Sequence, residues 1–244
     1  MLIGAVADDI TGASDLCLML SNAGLHTVQI MGVPAAGAAL PKADAVVIAL
    51  KSRTIPAAQA VALSEAAARC LKDAGADQIL FKYCSTFDST DAGNIGPVTQ
   101  ALMALTGAEI TIACPAFPAN GRTVYMGHLF VGGQLLSDSP MKDHPLTPMH
   151  DANLVRVLAR QTALPVGLVN ALSVAQGVEA VQAAMSDARA KGTCILVVDA
   201  TTDNDLMTLG AACKGMRLVT GGSGIALGLA ANFKAAVAAA KEQA

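Results

Sequence analysis

Residues 1–15 read MLIGAVADDITGASD, and their reading decides the fold. The run LIGAVA (2–7) is apolar throughout, short, and stops on two adjacent carboxylates, Asp8 and Asp9. An apolar run of that length with no polar alternation suits a strand covered on both faces. Thr11 and Gly12 then lead into a segment with helical spacing, predicted near 13–23. Burying one carboxylate at such a junction is costly, and two side by side repel. Helix capping accounts for one of them, so the pair asks for a second role.

The same rhythm recurs outward from this stretch. Strands are expected at TVQIM (27–31), AVVIAL (45–50), QILFK (78–82), EITIAC (109–114), VGLVN (166–170), CILVVDA (194–200) and RLVTG (217–221). Helices are expected near 57–74, 95–105, 151–161, 175–191, 203–213 and 223–240. The alternation predicts an α/β fold, a mostly parallel sheet with helices on both faces. The segment 115–150 interrupts it with Pro, Gly and aromatic residues, a hairpin signal in TVYMGHLFVGG (123–133) and the loop HPLTPMH (144–150). A long irregular insertion in a compact α/β domain usually serves function or a partner.

Composition narrows the classes. Of 244 residues, 53% are hydrophobic and 14% charged, with a formal net charge of −3, which argues against disorder and against a nucleic-acid surface. The apolar runs are broken before the roughly 20 residues that a membrane-spanning helix needs. The first residues carry no basic leader, so a cytoplasmic protein is expected. Six cysteines (17, 70, 84, 114, 194 and 213) show no C-x-x-C spacing and read as reduced core thiols, Cys84 excepted for its polar surroundings. Four histidines (26, 128, 144 and 150) have no metal-ligand spacing, and no dedicated metal site is expected; His144 and His150 bracket the Pro-rich loop within reach of a ligand.

Ligands of open α/β sheets bind beyond the carboxyl ends of the strands, and the polar clusters here fall at those ends. Asp8-Asp9-x-Thr11-Gly12 follows the first strand. Lys51-Ser52-Arg53-Thr54 follows AVVIAL and offers two cations for an acid, Arg53 as a bidentate fork. Lys82-Tyr83-Cys84-Ser85-Thr86-Phe87-Asp88-Ser89-Thr90 follows QILFK with the density of short donors and acceptors that a polyhydroxylated ligand requires. Arg122, in Asn120-Gly121-Arg122-Thr123, is a further anion contact or a loop salt bridge. Gly221-Gly222-Ser223-Gly224 is either an anion-binding turn at a helix start or a turn built for close helix packing.

Taken in order, IGAVADDITGASD (3–15), LKSRT (50–54), FKYCSTFDSTDAGNIGPVTQALM (81–103), CPAFPANGRTVYMGHLFVGGQLLSDS (114–139), HPLTPMHDANLVRVL (144–158) and LVTGGSGIALGLA (218–230) resemble the four-carbon acid sugar kinase family, in its 3-oxo-tetronate kinase branch. The resemblance implies ATP-dependent phosphorylation of the terminal hydroxyl of 3-oxo-tetronate, giving the 4-phosphate. It also implies that residues 1–244 are the sugar-acid-binding half, with ATP and Mg²⁺ held mainly by a C-terminal nucleotide-binding half outside this sequence. Little turnover is then expected from residues 1–244 alone. Carried over by position, Asp8, Asp9, Lys51, Arg53, Lys82, Ser85, Thr86 and Arg122 become the substrate-side residues. Arg53, Lys82 or Arg122 would neutralise the carboxylate, and Ser85 and Thr86 would hold hydroxyl or keto oxygens. Asp9, or failing that Asp8, would accept the proton of the attacking hydroxyl. The expected partners are a small sugar acid and either a separate nucleotide-binding domain or a second copy of the chain. A phosphatase of haloacid-dehalogenase type needs D-x-D-x-T, which adjacent Asp8 and Asp9 do not supply. A non-catalytic module that binds a sugar acid is the alternative reading.

Overall fold

The computed structural model describes residues 1–35 and 37–242. The strands are β1 (Ile3–Ala7), β2 (Thr27–Met31), β3 (Ala45–Ala49), β4 (Gln78–Lys82), β5 (Thr111–Cys114), β6 (Arg122–Tyr125), β7 (His128–Val131), β8 (Gln134–Leu135), β9 (Val166–Val169), β10 (Ile195–Val198) and β11 (Leu218–Gly221). The helices are α1 (Ile10–Asn22), α2 (Ala57–Asp73), α3 (Ile95–Thr106), α4 (Leu154–Ala159), α5 (Ala171–Ala175), α6 (Val178–Ala190), α7 (Asp203–Ala212), α8 (Ala226–Ala231) and α9 (Lys234–Glu242). Eight strands form one sheet in the order β2-β3-β1-β4-β11-β5-β10-β9. Every pairing in it is parallel.

The expected α/β architecture is the observed one. β1, β3, β4, β5, β10 and β11 are buried along their whole length, whereas the edge strands β2 and β9 are mostly half-buried. Right-handed crossovers sort the helices by the direction in which the chain travels. From β3 to β4, from β4 to β5 and from β5 to β9 the chain moves one way, and α2, α3 and α4 pack on one another in a row. From β1 to β2, β9 to β10 and β10 to β11 it moves the other way, and α1, α8, α7, α6 and α5 form the second row. The helices that follow β1 and β4 therefore lie on opposite faces, which opens a crevice between two neighbouring strands at their carboxyl ends.

Some element bounds differ from expectation. α1 begins at Ile10 rather than near 13, because Asp9 is its N-cap. The expected helix 175–191 is α6, which starts only at Val178 after Gly177, the short α5 before it was not expected, and 223–240 is a 3-10 turn followed by α8 and α9. The last residues of the Ala-rich tail, 243–244, lie outside the described residues. The insertion holds the antiparallel sheet β6-β7-β8, one strand richer than the hairpin signal.

Candidate functional site

The turn from β1 into α1 places the two carboxylates differently. Asp9 has extended backbone (φ −144°, ψ 162°) and its Oδ1 accepts the Gly12 N–H at 3.0 Å, an N-cap that satisfies one orphan donor of the first turn. Asp8 points into the protein and is 5% exposed. Its backbone carbonyl accepts from the N–H groups of Ser52 and Arg53, which lays the loop after β3 alongside the loop after β1.

That register brings the Arg53 guanidinium onto Asp8 as a fork, Nε to Oδ2 at 2.9 Å and Nη2 to Oδ1 at 2.8 Å. Nη2 also reaches Asp9 Oδ1 at 2.6 Å, and Nη1 lies 3.7 Å from Asp88 Oδ2. Burial pushes the Asp8 carboxyl above the usual carboxylate range, with the Arg53 hydrogen bonds and charge working against that rise. Burial likewise opposes the Arg53 cation, and its bonds to Asp8 overcome this and hold it more firmly protonated than usual. Arg53 was expected to grip a ligand's carboxylate, but its fork is already taken by the protein's own acids.

Asp88 is the acid whose role sequence reasoning missed. Phe87 and Asp88 both adopt left-handed backbone (φ 66° and 41°), a costly arrangement for consecutive non-glycine residues and one that concentrates at functional sites. The bend turns the Asp88 carboxylate back so that Oδ1 accepts from Thr86 Oγ1 at 2.6 Å while Oδ2 faces Arg53. Cys84 Sγ lies 3.0 Å from Thr86 Oγ1, and burial together with the Asp88 charge raises its thiol pKa. Two buried amides hold these loops. Asn94 Nδ2 donates to the carbonyls of Ser52, Arg53 and Ile55, and Gln161 Nε2 donates to those of Ser89 and Thr90. The only sequence signal for Asp88 was its presence in a polar stretch. Asn94 and Gln161 carried none.

Lys82, the last residue of β4, is 3% exposed, and its ammonium donates to the Tyr83 carbonyl at 2.8 Å. No carboxylate lies within ion-pair distance of it among the described residues. It stands over the first turn of α1: a Cβ on Gly12 would lie 2.7 Å from Lys82 Nζ and 2.4 Å from Asp9 Oδ1. Only glycine fits here, because the Asp9 carboxylate and the Lys82 ammonium close over its α-carbon.

The remaining expected residues spread around this centre. Lys51 is exposed on the rim, Ser85 is half-buried and Thr86 is buried. Arg122 donates to the Asn120 carbonyl, a bond within its own loop. Gly221, Gly222 and Gly224 pack against backbone: a Cβ on them would meet the carbonyl oxygens of Cys114, Pro115 and Ala116 at 2.3, 2.8 and 2.4 Å. These glycines serve close helix packing, and Ser223 between them is buried, so the alternative of an open anion-binding turn gains nothing from the geometry. His144 Nδ1 is occupied by Thr147, and His150 lines a separate cavity of about 420 Å³ with Thr90, Met149 and Arg160. Among the described residues no three His, Cys, Asp or Glu side chains converge as a metal cage.

Residues 3–229 match the family model described as a sugar-binding N-terminal domain. The 3-oxo-tetronate kinases of Pseudomonas fluorescens and Burkholderia multivorans are each 59% identical, over 96% and 100% of this chain. The chain belongs to the four-carbon acid sugar kinase family, in its 3-oxo-tetronate kinase branch. It spans about half the length of these relatives, 55% and 57%. Among solved structures of proteins similar to this family member, one from Haemophilus influenzae superposes with a TM-score of 0.91 at 47% identity, over 94% of this chain and 56% of that one. A Bordetella bronchiseptica protein, 28% identical with a TM-score of 0.76 over 96% of this chain and 56% of its own, is a domain-swapped dimer with bound citrate. Among the described residues, no helix is long and apolar enough to cross a membrane.

Proposed function

We propose that this domain is the sugar-acid-binding half of an ATP-dependent kinase that phosphorylates the terminal hydroxyl of a 3-oxo-tetronate. One observation carries the reading: Asp9 caps α1 through Oδ1 at the mouth of the crevice, while Oδ2 has no protein partner among the described residues. Asp8 has both oxygens held by the Arg53 fork and is buried. Of the two acids, Asp9 is therefore the one placed to accept a hydroxyl proton. The relatives' kinase names and the citrate held by the Bordetella protein favour a small hydroxy acid as ligand.

ATP supplies the phosphoryl group. The glycine turn after β11 is filled by carbonyl oxygens and offers no open cradle for its phosphates. Donor binding is accordingly assigned to the further length that the relatives possess. What this chain contributes is positioning and charge: Arg53 holds the acids together, Ser85 and Thr86 line the approach, and Asp9 takes the proton as the hydroxyl attacks.

The test is phosphoryl transfer from ATP·Mg²⁺ to a panel of tetronates and 3-oxo-tetronates, by this chain and by a two-domain form. Transfer to the 3-oxo acids by the two-domain form is expected, with little by residues 1–244 alone. Asp9→Asn is expected to bind the acid within a few-fold of wild type and to lose about 100-fold or more in turnover. Unchanged turnover in that variant removes the base assignment.

A further inference from the structure

Asn94 stands immediately before α3, where an asparagine ordinarily turns its side-chain oxygen onto the N–H of the second or third helical residue. Neither donor is available here. The third residue is Pro97, which has no N–H, and the Gly96 N–H is taken by Gln161 Oε1 at 2.9 Å. Gly96 admits Gln161 so closely because it lacks a side chain: a Cβ there would lie 2.5 Å from the Gln161 Cβ. Gln161 is itself fully satisfied, since it also accepts from Ser89 Oγ and donates to the Ser89 and Thr90 carbonyls. Asn94 accordingly makes no side-chain cap. Its amide reaches across to the loop after β3 and donates to the carbonyls of Ser52 at 2.6 Å, Ile55 at 3.0 Å and Arg53 at 3.1 Å. Its Oδ1 is left buried with no hydrogen-bond partner among the described residues, a costly state for a side chain only 6% exposed.

The loop 52–55 is gripped from two sides. The Asp8 carbonyl takes the N–H groups of Ser52 and Arg53, and Asn94 takes their carbonyls. Asp88 and Asn94 belong to one segment, so that segment meets Arg53 twice, carboxylate to guanidinium and amide to backbone. We infer that Asn94 is a positioning residue for the reaction: it fixes the backbone of Arg53, so that the guanidinium stays forked on Asp8 and engages only Oδ1 of Asp9. Gln161 makes this possible by capping α3 in place of Asn94. The inference rests on the reading of Asp9 as the acceptor of the hydroxyl proton, and it names what keeps Asp9 Oδ2 clear of the arginine. A helix cap alone would need neither three carbonyls nor an unmet buried oxygen.

The experiment is heteronuclear NMR of the whole chain, following solvent exchange of the Arg53 Nε–H, which donates to Asp8 Oδ2. Loss of the signal in Arg53→Lys assigns it. In Asn94→Ala the exchange should speed up about tenfold or more. Asn94→Ser keeps one donor and should recover part of the protection. Gln161→Ala touches neither Arg53 nor an acid, yet should speed exchange about threefold or more by returning the Gly96 N–H to Asn94. Val181→Ala, a core truncation in α6, should lower the thermal midpoint and leave the exchange within about twofold of wild type. The inference is overturned if Asn94→Ala and Gln161→Ala lower the midpoint and leave the exchange within about twofold of wild type, or if Val181→Ala speeds it as much as they do. Should Asn94→Ala fail to fold, Asn94→Ser and Gln161→Ala decide by the same limits. In a two-domain form Asn94→Ser should lower kcat about tenfold with KM for the 3-oxo acid within about threefold, and a fall no larger than that of Val181→Ala also overturns the inference. Absence of phosphoryl transfer by the wild-type two-domain form counts against the kinase reading alone, because the exchange measurement uses neither acid nor ATP.

Discussion

Two carboxylates end strands of the same sheet, and the protein treats them in opposite ways. Asp8, after β1, is met by a charged side chain, the Arg53 fork. Asp199, after β10, is met by backbone: its Oδ2 accepts from the N–H groups of Met126 at 2.6 Å and Ala171 at 2.8 Å, and its Oδ1 from Gly127 at 2.9 Å. Burial pushes both acids upward, and in both the hydrogen bonds oppose it. The outcome differs because backbone donors are fixed and neutral whereas Arg53 brings charge. Asp199 is a closed joint that pins the β6–β7 turn and the start of α5 to the sheet. The Asp8 cluster gathers three acids around one arginine and leaves one oxygen of Asp9 without a protein partner among the described residues. Closed satisfaction builds structure, and incomplete satisfaction marks the site.

Breaking the charged partnership should cost most. Arg53→Met strands a buried Asp8 and lets Asp9 and Asp88 repel unscreened, so about 3–5 kcal/mol of stability should be lost in urea unfolding at pH 7. Arg53→Lys should recover only part of it, because a point charge cannot span both oxygens. A loss below about 1 kcal/mol for Arg53→Met would mean that the fork is a surface pair of little weight.

Opening the backbone joint should cost less and act elsewhere. Asp199→Asn replaces an acceptor pair by one acceptor and one donor, which opposes at least one of the three N–H groups and should cost about 1–3 kcal/mol. Hydrogen exchange should speed up at Met126, Gly127 and Ala171, while erythronate affinity stays within about twofold of wild type. A matching loss of acid affinity would break the proposed separation of joint from site.

The smallest effect sharpens the contrast at the surface. Arg156 holds the Asp151 carboxyl down to about 2 from an ordinary 3.8, with the Asn153 N–H and Arg160 helping. A lowered carboxyl contributes stability that is complete above its unfolded value and lost as pH falls through its folded one. Acid titration of wild type from pH 5 to below about 2 should therefore show a shallow decline that Asp151→Asn flattens. An unchanged slope would assign the decline to other carboxylates.

Much of this was legible beforehand, for a local reason. Apolar runs of 4–6 residues ending on polar clusters state that strands are covered and that their carboxyl ends carry function. β2 and β4 fall where TVQIM and QILFK ended them. Asp9 as a cap is likewise a matter of three residues. The misplaced elements were also local failures: Asp9 begins α1 earlier than apolar spacing alone suggests, and Gly177, with left-handed backbone, delays the start of α6 to Val178.

What the chain determined by itself is the alternation, and through it a parallel sheet with Asp8, Arg53, Lys82 and Thr86 at its carboxyl edge. Only the tertiary structure decided what each of them does. Asp8 and Arg53 are 45 residues apart, and their pairing depends on the loop after β3 lying along the loop after β1. Asp88 turns toward Arg53 through a left-handed bend that no residue type announces, and Lys82 meets Gly12 across the crevice between β4 and α1. Charges compete for partners in space, and strand order and register, not sequence neighbourhood, determine which acids an arginine holds.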